Sequence, residues 1–283
     1  MRNFLSIHSD EHILGLALGK FDGMHLAHKE LFKHLNKHCA LLCIESQGLS
    51  LTPNKAPYSP CEIISVHFED IAKWSGQQFI ATLTQKFPNL QKLIVGYDFC
   101  FGKDRAFSAS DLPHLFHGEI IIVPQFCMQG VGVHSSVIRE LIRYGDMELA
   151  NAMLGRYYHI QGEIIKGQNL GARQLYATIN LQSQNYILPQ DGVYASFTEL
   201  EGEIMPSVCF IGHRFSTDRC FSIESHILDR NLTCRANNAK LYFVRKIRDN
   251  QSFSDLTLLK NRISKDIATA KDILHNAKQS CIV

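Results

Sequence analysis

The hydrophobic pattern changes its period once along this chain, and that change limits what the chain can fold into. Up to residue 155, short apolar runs alternate with amphipathic stretches. Residues 13–18, 40–44, 92–95 and 119–123 are compact apolar runs and read as buried strands. Residues 26–38, 61–74, 77–86, 135–143 and 147–154 read as helices. Strands alternating with helices imply βαβ units and a mostly parallel sheet. Beyond Gly155 the runs shorten and become β-prone (158–165, 192–198, 208–211, 221–228, 239–245), with turn residues between them, as in a small barrel or sandwich. A closing amphipathic helix repeats Leu256, Leu259, Ile263, Ile267 and Ala270 at helical spacing, with Ser254 as its expected N-cap. The texture predicts two domains, 1–157 and 158–283.

Composition narrows the function classes. The 283 residues are 45% hydrophobic and 20% charged, which describes a globular chain long enough for two cores. Its 29 basic and 27 acidic side chains are intermixed, for a net charge of +2, so no basic arm or patch points to nucleic acid or a membrane surface. No window approaches the roughly 18 apolar residues of a membrane span. The first twelve residues carry Ser, Asp, Glu and His where a signal peptide needs an apolar stretch. Nine irregularly spaced cysteines without a C-x-x-C pair fit reduced thiols better than a disulfide framework or a zinc site. The expectation is a cytoplasmic protein acting on small molecules.

The segment from Gly19 to His28 (GKFDGMHLAH) follows the first strand directly and opens a helix. Gly19 and Gly23 permit a tight turn and close backbone approach, while the helix start offers N–H groups and a positive partial charge to a phosphate. His25 and His28 are three apart and share a face, where both can donate hydrogen bonds to phosphate oxygens. An H-x-x-H pair alone is more often surface or core, and no third ligand stands at metal-site spacing. A second candidate, His134-Ser135-Ser136-Val-Ile-Arg139, starts a helix after Gly130 and Gly132. Its hydroxyls and the Arg139 fork could grip a pyrophosphate, although Ser135 alone would be an N-cap and Arg139 a surface residue. The stretch from Gly96 to Lys103 fails as a phosphate loop of the Walker type, with five residues between its glycines and Asp104 after the lysine.

Taken together these strings resemble the bacterial bifunctional riboflavin kinase/FAD synthetases (FMN adenylyltransferases). Gly19-x-Phe21-Asp22-Gly23-x-His25-x-x-His28 resembles that family's G-x-F-D-G-x-H-x-G-H signature, with Ala27 in place of a glycine. Val95-Gly-Tyr-Asp98-Phe99-Cys-Phe-Gly102 resembles V-G-x-D-F-x-F-G, and residues 134–139 resemble S-S-T-x-I-R, with His134 in place of the first Ser and Ser136 in place of Thr. The segment 45–60 has no counterpart of the family's F-D-P-H-P-type loop.

In the second half, Gly167-x-x-x-Gly171 and Thr178-x-Asn180 correspond to G-x-x-x-G-R-x-L-G-F-P-T-A-N, with Ala172, Leu175, Tyr176 and Ala177 replacing Arg, Gly, Phe and Pro. Leu188-Pro-x-Asp-Gly-Val-Tyr194, Ile211-Gly-x-Arg214, Glu224-x-His226-x-Leu228-Asp229 and Arg248-x-x-x-x-Phe253 are similar to family elements.

The resemblance implies an α/β Rossmann-like nucleotidyltransferase domain followed by a small antiparallel riboflavin kinase-like β-barrel and a C-terminal helix. It implies His25, His28 and Glu224 as catalytic groups, the last as base toward the riboflavin 5′-hydroxyl. Gly19, Phe21, Asp22, Gly23, Ser135, Ser136, Arg139, Gly167 and Gly171 would bind ATP. Asp98, Phe99 and Arg248 would contact flavin, and Thr178 and Asn180 would hold Mg²⁺. The implied substrates and products are ATP, riboflavin, FMN and FAD. Three other readings stand beside this one: a related nucleotidyltransferase with another acceptor, an FAD synthetase whose barrel has lost catalysis, and a non-catalytic nucleotide-binding regulator.

Overall fold

Side chains along a strand alternate between faces, so a strand covered on both sides must be apolar throughout. The central strands of the first half meet that condition. The structure, a computed structural model, describes residues 2–165, 176–214, 219–230 and 236–277. Its first strands are β1 (Arg2–Asn3), β2 (Gly15–Gly19), β3 (Cys39–Glu45), β4 (Glu62–His67) and β5 (Lys92–Gly96). A small hairpin of β6 (Cys100–Phe101) and β7 (Phe107–Ser108) follows, then β8 (Glu119–Val123) and a hairpin of β9 (Cys127–Met128) and β10 (Val131–Gly132). The main sheet runs β1-β4-β3-β2-β5-β8 with every neighbouring pair parallel.

Helices α1 (Leu26–Phe32), α2 (Phe68–Ile71), α3 (Gly76–Lys86) and α4 (Leu112–Leu115) connect these strands. Leu16, Leu18, Leu42, Ile64 and Val95 pack with Phe79, Ile80 and Leu83 of α3. The alternate residues Ala17, Leu41, Ile63 and Ile94 pack with Leu31 of α1. Burying one such side chain contributes about 1.5–3 kcal/mol. The sequence predicts a helix over 61–74, whereas the structure has β4 and a single turn, α2. The β-branched Ile63, Ile64 and Val66 complete a parallel register with β3 from Ala40↔Glu62 to Glu45↔His67, and that pairing outweighs the helical spacing. The helix expected over 26–38 ends at Phe32, where bonds from His34 N–H to Leu31 and Leu35 N–H to Phe32 carbonyls tighten the chain into turns.

The chain divides into two compact units, Met1–Ser135 and Ser136–Val283. Helix α5 (Ser135–Tyr144) starts on the last residue of the first unit and continues into the second, where α6 (Met147–Leu154) precedes a barrel of β11 (Tyr158–Ile165), β12 (Ile179–Ser183), β13 (Gly192–Leu200), β14 (Glu203–His213), β15 (Phe221–Ile227) and β16 (Asn238–Asp249). Among the described residues the barrel closes in the antiparallel order β11-β12-β15-β14-β13-β16. Tyr158, Tyr194 and Phe243 are fully buried. So are Ser196, Thr198, Ser207 and Ser225, whose hydroxyls join at 2.8 Å and leave none of the four without a partner. Asn151 of α6 donates to the Phe243 carbonyl (2.8 Å) and accepts from Tyr158 N–H (2.7 Å), pinning α6 to the barrel.

The closing helix, α7 (Leu256–His275), packs Ala270 and Leu274 against Val193, Ala195 and Phe197. Its N-cap is Asp255, whose carboxylate accepts from the N–H groups of both Thr257 (2.8 Å) and Leu258 (2.9 Å), rather than the expected Ser254. No helix among the described residues is long and apolar enough to cross a membrane.

Candidate active sites

In the parallel sheet the chain moves outward from β2 to β3 and β4, then returns to β5 on the other side of β2. Loops leaving the carboxyl ends of β2 and β5 therefore diverge, and that crevice is where open α/β sheets take their ligands. The turn from Gly19 to His25 lies there. Phe21, Gly23 and Met24 all have left-handed backbone (φ 49°, 85° and 42°), which costs a non-glycine residue about 1–3 kcal/mol. Burial of Phe21 and Met24, each 1% exposed, holds the conformation. Gly19 allows the ring beneath it, since a Cβ there would stand 3.2 Å from Phe21.

Asp22 ties the turn to the loop after β3. Its Oδ1 accepts from Ser50 Oγ (2.5 Å), Leu51 N–H (2.9 Å) and Thr52 N–H (3.2 Å). Its carbonyl accepts from the hydroxyl of Ser135, the first residue of α5, at 2.7 Å. That donation uses the single Ser135 hydroxyl hydrogen, so at the 3.2 Å contact with His25 Nε2 the serine oxygen accepts. His25 is thereby fixed as the Nε2–H form, at 3% exposure. The half-buried His28 stacks on it, with ring centroids 3.6 Å apart, and meets Phe21 edge-on at 5.2 Å. The structure thus brings together Gly19, Phe21, Asp22, Gly23, His25, His28 and Ser135. Ser136 is exposed and Arg139 half-buried one turn along α5, in the second unit.

At the end of β5, Phe99 and Phe101 are buried and stacked at 5.5 Å in the core, while Asp98 is exposed. Tyr97 and Asp98 approach His134, with Tyr97 Oη 3.1 Å from its Nε2 and Asp98 Oδ2 3.7 Å from its Nδ1.

In the barrel, Asn180 of β12 lies directly opposite Glu224 of β15. Glu224 Oε1 accepts from Ser222 Oγ (3.0 Å) and Arg214 Nη1 (3.4 Å). An open cavity of about 520 Å³ borders this cluster, lined by Asn180, Gln182, Leu188, Arg214, Phe221 and Ser222 among others. The segment before the exposed Thr178 is anchored by His226, whose ring Nδ1–H donates to the Ala177 carbonyl (2.8 Å), and by Tyr176, whose Oη lies 3.0 Å from Ser264 Oγ. Arg248 is clamped to the buried Asp266 of α7 (2.8 Å) and is not on a strand paired with β12 or β15. Gly167 and Gly171, with Ala172 and Leu175, lie outside the described residues. Ser222 carries no motif, and only its spacing of two from Glu224 on one strand face could have revealed it.

The chain resembles known proteins over most of its length. A family model described as FAD synthetase matches residues 62–137, and one described as riboflavin kinase matches residues 154–274. A bifunctional riboflavin kinase/FMN adenylyltransferase of Bacillus subtilis (strain 168) is 30% identical over 288 residues, covering 89% of this chain and 89% of the relative. The chain belongs to the bifunctional riboflavin kinase/FMN adenylyltransferase family. Members from Escherichia coli (strain K12) and Haemophilus influenzae are each 28% identical, covering 91% and 96% of this chain and 91% and 98% of their own lengths. A crystal structure titled "Macrolide-efflux Protein from Streptococcus pneumoniae" superposes with a TM-score of 0.84 over 98% of both chains at 23% identity, a likeness of fold. Both the FAD synthetase and the riboflavin kinase regions of the family are present in this member.

Proposed function

We propose that this chain phosphorylates riboflavin to FMN in its barrel domain (158–283) and transfers AMP from ATP to FMN in its parallel-sheet domain (1–157), giving FAD and pyrophosphate. The observation that carries the reading is the conjunction, within one family member, of the Ser135–His25–His28 cluster at the sheet's switch point and the Asn180–Glu224–Arg214 cluster on the barrel.

In the barrel, Arg214 and Ser222 both hold Oε1 of Glu224, which leaves Oε2 to take the proton from the riboflavin 5′-hydroxyl. The freed oxygen attacks the γ-phosphorus of ATP, the bond to the bridging oxygen breaks, and ADP leaves. Asn180 and Thr178 offer an amide oxygen and a hydroxyl, hard donors that suit Mg²⁺, an ion that fills its remaining positions with water and substrate phosphates. When bound, Mg²⁺ supplies positive charge to the ATP phosphates. His226 keeps Thr178 beside the strand edge through Ala177.

In the parallel-sheet domain the FMN phosphate, already ionised, attacks the α-phosphorus of ATP and pyrophosphate leaves. No protein nucleophile is required, only positioning and charge stabilisation. His28 donates to the phosphate oxygens, His25 holds the stacked His28 ring in place while its own Nε2–H is engaged by Ser135, and Gly19, Phe21 and Gly23 shape the turn. Asp22 contributes by fixing residues 50–52 over that turn, since its carboxylate is already engaged. Asp98, exposed at the end of β5, borders the flavin, whereas Phe99, expected to touch it, supports that turn from the core, and Arg248 orients α7 through Asp266. ATP supply and reduced thiols such as Cys39, Cys43 and Cys209 suit the cytoplasm.

Incubation of the purified chain with Mg-ATP, followed by chromatographic separation of flavins, tests both halves. Riboflavin should yield FMN and FAD, and FMN should yield FAD. Conversion of FMN alone would remove the kinase assignment, and conversion of neither would remove the whole reading.

A further inference from the structure

Beside the histidine turn lies a second polar network, whose Tyr97, Gln125 and His134 the two reactions as described leave unused. Tyr97, the first residue beyond β5, is 43% exposed at the sheet's carboxyl edge, and its N–H is held by the Val123 carbonyl (2.9 Å). Its hydroxyl is nevertheless fixed, 3.1 Å from His134 Nε2. Gln125 Nε2 approaches the same ring nitrogen at 3.3 Å, and Asp98 Oδ2 lies 3.7 Å from Nδ1. His134 immediately precedes Ser135, so a single peptide joins this network to the one that holds His25.

We propose that Tyr97 binds a phosphate oxygen in the adenylyl-transfer site and that His134, oriented by Asp98, is the residue that positions it. The inference rests on the adenylyltransferase reading above. In the resting network the amide N–H of Gln125 and the Tyr97 O–H both point at Nε2, so Nε2 is the bare nitrogen and Nδ1–H faces Asp98. In the other tautomer, with its hydrogen on Nε2, His134 donates to the phenol oxygen and the Tyr97 O–H turns to the phosphate, so no proton is gained or lost by the pair. Partial desolvation, then the neighbouring Asp98 and Cys127, push the Tyr97 phenol above its ordinary pKa, which keeps it a donor. Asp98, Gln125 and Cys127 are the polar or titratable groups that face this pair from the β5 loop, the segment after β8, and β9.

The phosphate belongs either to FMN or to ATP, and steady-state kinetics separates the two. FAD formation is measured with FMN varied at saturating ATP, and with ATP varied at saturating FMN, for the intact chain and for Tyr97→Phe, His134→Ala and His134→Gln. Riboflavin phosphorylation by the same preparations reports that each variant is folded. Tyr97→Phe and His134→Ala should each raise KM for one of the two nucleotides about tenfold while kcat stays within about twofold. A rise confined to FMN assigns the acceptor phosphate, and a rise confined to ATP assigns the triphosphate. His134→Gln, whose amide can donate to the phenol oxygen, should keep KM within about twofold of the intact chain. Unchanged KM for both nucleotides in Tyr97→Phe overturns the proposal, and so does a loss seen only in kcat. His134→Gln failing alongside His134→Ala overturns the positioning role. An unmodified chain that makes no FAD contradicts instead the adenylyltransferase reading.

Discussion

At the start of α5 a single hydroxyl joins residues that stand 110 or more positions apart in the chain. Ser135 donates to the Asp22 carbonyl and accepts from His25, and so sets which nitrogen of that imidazole carries its hydrogen. Ser135→Ala removes that constraint while leaving the buried ring in place. FAD formation should fall about tenfold, the worth of roughly one hydrogen bond, with riboflavin phosphorylation unchanged. Equal loss of both activities would contradict this role. On the barrel, Glu224→Gln preserves an oxygen that can accept from Ser222 and Arg214 but removes the base. Riboflavin phosphorylation should drop about 10²–10⁴-fold while FMN is still converted to FAD. Full phosphorylation by that variant would show that another group takes the proton.

At the scale of elements, β11 and β16 bring His159 against Tyr242, with ring centroids 5.1 Å apart. Burial, then the positive charges of Arg156 and Lys240, depress the imidazole pKa to about 4, against an opposing pull from Glu199. Because the folded pKa lies below the unfolded value of about 6.5, the unfolded chain takes up a proton first as pH falls. The barrel therefore loses stability between about pH 6.5 and pH 4. Urea unfolding should show a loss of about 2 kcal/mol between pH 7 and pH 5 that His159→Gln reduces. Parallel pH profiles for the two proteins would contradict the account.

Most elements were legible because their apolar spacing coincides with their burial, as in Cys39–Glu45, Lys92–Gly96 and Met147–Leu154. The elements that were not legible were decided by distant partners. Glu62–His67 needs β3 beside it to be a strand, and Ile179–Ser183 needs β11 and β15. The histidine turn could be read from its spacing and its place after a strand. The serine that fixes its tautomer and the Arg214 contact to Glu224 depend on register and could not be read, while Ser222 had only its spacing of two from Glu224 to mark it.

At the scale of the whole molecule, each compact unit has its own apolar core and its own cluster of reactive side chains. FMN is the product of one proposed site and the substrate of the other, so damage to the histidine turn should stop the sequence at its intermediate. The most direct measurement is flavin chromatography of His28→Ala given riboflavin and Mg-ATP, with folding checked by circular dichroism. The account predicts that FMN accumulates at the undiminished rate while FAD falls by about 10²–10³-fold or more, the cost of losing a preorganised donor. FAD formed at the normal rate, or the loss of both products from a folded protein, would contradict it.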